Sequence, residues 1–132
     1  MLNTTTWGDQ GVFIDWEGEL SAFEIQRSNN EIYANPRFDT MQYQIVDLLK
    51  VTKTSMVERD SEVLASLDKS SSSFFRSKDH KVLVALITDD AFIKILSEKY
   101  RESLAGSNWV CEIFEEKEEA VAWVSSQLNI TF

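Results

Sequence analysis

Only one cysteine, one histidine, one proline and four glycines occur among the 132 residues. A lone Cys111 excludes an internal disulfide, and with His80 as the single histidine no zinc site of the usual Cys/His kind can be assembled. The glycines lie singly or in one short loop, which excludes a glycine-rich phosphate cradle. Basic residues are scarce: 13 Lys and Arg stand against 22 Asp and Glu, for a formal net charge of -9. Nucleic-acid binding is driven by cations that displace counterions, and no basic cluster offsets this deficit, so no nucleic-acid partner is expected. No apolar run approaches the roughly 18 residues of a membrane span. Residues 1–7 carry neither the basic nor the apolar segment of a signal peptide. The cytoplasm is therefore the expected compartment.

What remains is ordinary globular usage, 43% hydrophobic and 27% charged. A chain of this length suits one domain, and folding buries roughly two-thirds of its unfolded surface. A single domain over 1–132 is expected. Strand and helix patterns alternate along it. Residues 4–7 and 12–16 flank Gly8-Asp9-Gln10-Gly11, a hairpin-loop composition. Ser21 with Glu24 forms a capping box, predicting a helix with Ala22, Ile25, Ile32 and Tyr33 on its buried face. Asn35-Pro36 ends it. Residues 43–49 read as a strand, followed by 50–54. Ser55 with Glu58 repeats the capping box ahead of a helix striped by Val57, Leu64, Leu67 and Phe74, with Ser71 in the same stripe.

Val82–Ile87 is an unbroken apolar run, the pattern of a strand buried on both faces of a parallel sheet. Asp89 or Asp90 caps a third helix, with Phe92, Ile93, Leu96, Tyr100 and Leu104 in its stripe and Gly106 suited to the left-handed position beyond it. Trp109–Phe114 is the last strand. Glu115, Glu116, Glu118 and Glu119 complement the positive end of a fourth helix, whose core face is Ala120, Val121, Val124 and Leu128. Strand–helix units in series predict an α/β fold: four helices on a mixed, mostly parallel sheet of about five strands, with the hairpin adding an antiparallel edge.

Gly18-Glu19-Leu20 ends a strand before the first helix, and Ile45-Val46-Asp47-Leu48 leads toward the second. With the element order, these runs resemble the STAS (SpoIIAA-like) fold of bacterial anti-sigma-factor antagonists over nearly the whole chain. Asn35-Pro36-Arg37-Phe38-Asp39, Tyr43-Gln44-Ile45-Val46-Asp47, Val51-Thr52 and Ala120-Val121-Ala122-Trp123 are similar to a group of small uncharacterised bacterial STAS-like proteins. The resemblance implies a protein-interaction or regulatory module. Antagonists of that family are switched by phosphorylation of a Ser in an Asp-Ser-Ser-Gly turn opening the second helix. Here the region reads Thr54-Ser55-Met56-Val57-Glu58, and the phosphoacceptor position falls near Val57. A shifted register places Ser55 there, but its capping role already accounts for it. The switch does not carry over.

Ligands of open α/β sheets bind beyond the carboxyl ends of the parallel strands. Asp15, Trp16, Glu17, Asp47, Thr88, Asp89, Asp90, Glu115 and Glu116 are expected there. Converging carboxylates suit Mg2+, but helix capping explains Asp89, Asp90 and the Glu pair with no metal. His80 reads as an exposed turn residue and Cys111 as core. No catalytic pair, metal site or cofactor motif is marked out, so no enzyme is expected.

Two functions fit. The first is a non-catalytic interaction module, binding a protein partner or a second copy through the strand-end face and residues 54–60, with Thr54, Ser55 and Glu58. The alternative is a binder of a small apolar ligand or lipid, because the STAS-like order of elements resembles the lipid-carrying CRAL-TRIO domains. Candidate lining residues are Trp16, Phe23, Phe74, Phe75, Phe92 and Ile93. For Trp16 and Phe74-Phe75 plain packing is the competing reading. An apolar void in the core favours the ligand, a solid core the interaction module. The apolar tail Ile130-Thr131-Phe132 either folds back or meets another subunit.

Overall fold

β1 (Leu2–Trp7) and β2 (Gly11–Leu20) pair antiparallel, and the turn between them is closed by Gly8 N–H donating to Gly11 O at 2.8 Å. The computed structural model describes residues 2–72 and 80–132. β3 (Tyr43–Thr54), β4 (Val82–Ile87) and β5 (Trp109–Phe114) then add in parallel, each beside its predecessor, to give the sheet order β1-β2-β3-β4-β5. α1 (Ala22–Ala34), α2 (Glu58–Ser72) and α3 (Ala91–Ser103) fill the three crossovers, and α4 (Lys117–Leu128) follows β5. The expected α/β architecture, a mostly parallel five-stranded sheet with four helices, is the one observed. A 3-10 turn over Pro36–Thr40 is added after α1.

Side chains alternate across a strand, so one run can feed two cores. Val82, Val84 and Leu86 of β4 join the larger core with Ile32 of α1, Leu64 and Ala65 of α2, and Ile93 and Leu96 of α3. Leu83, Ala85 and Ile87 join the smaller core with Ala120 and Val124 of α4. All six residues of β4 are buried, as its apolar run predicts. Helices α1–α3 thus cover one face and α4 the other.

Beyond Asp47, β3 outruns β4 and pairs with β2 alone. The register steps from Asp15 opposite Asp47 to Glu17 opposite Lys50, a bulge in β3 that Asp47 stabilises by accepting Leu49 N–H at 2.9 Å. At the other end, Gly11 is required by close approach. A Cβ there would lie 2.4 Å from Tyr43 O, inside any allowed contact.

Several expectations shift. α1 starts as its capping box requires, with Ser21 Oγ accepting Glu24 N–H at 3.3 Å. α2 does not. It begins at Glu58, and the cap is made by Asp60 Oδ2 reaching back to Val57 N–H at 2.8 Å. Met56 is drawn into the core instead, and Thr54 Oγ1 holds the approach by donating to Leu20 O at 2.8 Å and accepting Met56 N–H at 3.1 Å. Burying Met56 pulls the helix start past Ser55, which stays exposed outside the cap. Asp90, not Asp89, caps α3: its Oδ1 accepts the N–H groups of Phe92 and Ile93, both at 2.9 Å. His80 is half-buried rather than an exposed turn residue, with Nε2 3.2 Å from Met41 O. The tail folds back, setting the Phe132 ring edge-on to Phe13 and Tyr43 with centroids 5.6 and 5.3 Å away.

Candidate functional site

The larger core is not solid. Between α1–α3 and the sheet lies a cavity of about 90 Å3, walled mostly by Ile14, Leu20, Ile25, Val46, Leu48, Met56, Leu64, Val84, Leu86, Ile93 and Leu96. Natural interiors hold few voids larger than a water, so a cavity of this size marks a place where the helix layer stands off the sheet. It is smaller than the roughly 150 Å3 void that admits benzene, and far below the roughly 300 Å3 or more of a drug-sized pocket. A group of a few carbons fits; a lipid chain does not fit in this conformation.

Polar groups interrupt the apolar wall. Gln44 of β3 is 6% exposed, and its one side-chain contact is Nε2 to Met41 Sδ at 3.8 Å, so Oε1 has no hydrogen-bond partner among the described residues. Ser61 of α2 is 2% exposed, and its hydroxyl likewise has no partner among them. A buried polar atom left in this state costs about 1–3 kcal/mol. Ser97 is satisfied, since its hydroxyl donates to Ile93 O at 2.8 Å.

Asp68 also lines the cavity and joins the three helices of that layer. It sits on α2, 3% exposed, and accepts the Tyr33 hydroxyl from α1 at Oδ1 and the Tyr100 hydroxyl from α3 at Oδ2, the latter at 2.5 Å. Desolvation pushes its carboxyl up to about 6, against the pull of the two tyrosine hydrogen bonds. Burial, reinforced by the Asp68 charge, pushes both tyrosines up too, so each stays a donor at neutral pH. Cys111, in the same core, has its thiol pushed up to about 12 by burial and stays protonated.

The residues singled out from sequence fall in several places. Among the proposed lining residues that the structure describes, Ile93 alone meets the cavity. Trp16 is buried in the larger core but is not part of the cavity wall. Phe23 and Phe92 point away from the core, 73% and 44% exposed, at the starts of α1 and α3. Phe74 and Phe75 lie outside the described residues. Asp15 and Asp47 are register partners on β2 and β3, and Asp47 serves the bulge. Asp89 and Glu58 are exposed, and Thr54 is spent on the approach to α2. Among the described residues no three His, Cys, Asp or Glu side chains come together as a metal site. None of their helices is long and apolar enough to cross a membrane.

Sequence reasoning missed Asp68, Ser61 and Gln44. For the two on α2 the signal was positional: 61, 64, 65 and 68 lie at the spacing of one helix face, and two of the four are polar. A hydrophobicity stripe skips such positions because it scores the polar members as surface.

A solved structure has the same architecture. It is an uncharacterised protein from the DUF3478 family with a SpoIIAA-like fold, from Shewanella loihica PV-4, 12% identical, covering 92% of this chain and 91% of its own, with a TM-score of 0.54. The fold is SpoIIAA-like. At this identity the likeness extends to the fold alone. No family model matches the sequence, and no curated protein matches it. The turn ahead of α2 presents Val57, 57% exposed.

Proposed function

We propose that the chain is a non-catalytic module that binds a small, largely apolar ligand between α1–α3 and the sheet. The observation that carries this reading is the 90 Å3 cavity walled by aliphatic side chains from the sheet, α2 and α3. An apolar guest against the aliphatic part of this wall restores dispersion contacts that the lining lacks. The test is methyl NMR with dissolved butane. Saturable shifts are expected at Ile14, Leu64, Val84, Ile93 and Leu96, and not at Ile45, Leu83, Ile87 or Val124 across the sheet. Shifts that never saturate, or that spread equally over both faces, reject the reading.

A second reading, docking of a protein partner at the strand-end face, draws support from a different observation. Phe23, Val57 and Phe92 are exposed at the starts of three neighbouring helices. Isolated surface apolar residues are normal, but three at one end of a sheet suit a docking site. A co-purified partner from the native host should be lost in a Phe23→Ser/Phe92→Ser double variant. Equal recovery by both proteins would remove this face from consideration.

A further inference from the structure

The cavity also limits the chemistry of its occupant, an inference that rests on the ligand-binding reading above. Among the described residues its walls hold no Lys, Arg or His, so no cation is present to receive an anionic headgroup. The two tyrosine hydroxyls at its Asp68 end are already committed, Tyr33 to Oδ1 and Tyr100 to Oδ2. An entering carboxylate would face a buried carboxylate with neither a counter-ion nor a free tyrosine donor. Two like charges at low dielectric are strongly disfavoured.

The unspent hydrogen-bonding capacity of the walls is neutral. Gln44 offers an acceptor in Oε1, and Ser61 offers both a donor and an acceptor. Both side chains are more than nine-tenths buried and line the cavity. A hydroxyl or an uncharged amide supplies a donor and an acceptor together, which is what this pair lacks. We propose that the ligand is a non-anionic amphiphile, a short apolar body carrying one hydroxyl or amide that bonds Gln44 and Ser61, and that carboxylates of the same size are rejected.

The experiment is a parallel NMR titration of the wild-type chain with butane, 1-butanol and butyrate at about pH 8, where carboxylic acids are ionised. Butanol should bind about tenfold more tightly than butane, and butyrate at least about tenfold more weakly than butanol, the scale of one satisfied or one lost buried hydrogen bond. Gln44→Met and Ser61→Ala should each erase most of butanol's advantage over butane, both affinities being measured in the same variant. Butane binding with butanol no tighter overturns this inference alone and leaves the apolar site standing. Butyrate matching butanol overturns it too, as does an undiminished preference in both variants. Failure of all three probes overturns the inference together with the reading beneath it.

Discussion

Asp68 concentrates the electrostatics of the protein in one side chain. Its carboxyl lies inside the larger core, held by one tyrosine from each flanking helix. Burial raises its folded pKa to about 6 from an ordinary 3.8. The sign of the linkage follows. Below about pH 4 the group is protonated in both states. Between about 4 and 6 the native state keeps a proton that the unfolded chain releases, so this group's contribution to stability falls as pH rises. Above about 6 the full cost of the buried charge is present, on the order of 3 kcal/mol. In Asp68→Asn that dependence should vanish. Urea unfolding of both proteins across this range should show wild type losing about 3 kcal/mol relative to the variant, with other acids cancelling in the difference. A difference that stays constant with pH would mean the carboxyl is not desolvated. The same residue shows where sequence is mute. An aspartate in a helix reads as surface, and only its tyrosine partners, 35 and 32 residues away, make its burial tolerable.

At the level of elements, the helix starts were legible when the cap lies in local sequence and illegible when packing moves it. Ser21 caps α1 by the short-range hydrogen bond that its spacing predicts, and of the two adjacent aspartates that the sequence left open it is Asp90 that caps α3. For α2 the local pattern pointed to Ser55, but burial of Met56 outweighed it and shifted the start to Glu58. A cap is worth about 1 kcal/mol, whereas burying a methionine is worth about 1.5–3 kcal/mol, so the methionine sets where the helix begins. Asp90 is the cap with the clearest expected effect. Asp90→Ala strips the acceptor from two N–H groups and should cost about 1–2 kcal/mol, read as a lower urea midpoint with an unchanged slope. A midpoint equal to wild type would mean that water replaces the carboxylate at no cost.

At the scale of the whole molecule, chain order alone accounts for the two layers. Each parallel strand adds beside the last, always in the same direction across the sheet. Crossovers of one hand then place their helices on one face, which is where α1–α3 lie. α4 closes no crossover and is free to cover the opposite face, joined there by the tail residues Ile130 and Phe132. What the sequence determined by itself was the series of elements and the buried strand β4, because periodicity and caps act over a few residues; the SpoIIAA-like plan came from a resemblance carried by element order and short runs such as Gly18-Glu19-Leu20. What the tertiary structure alone decided was the cavity, the tyrosine-held Asp68 and the exposure of Phe23 and Phe92. Those depend on how far three helices stand from a sheet, a distance set by side chains meeting across the fold and encoded in no single stretch of chain.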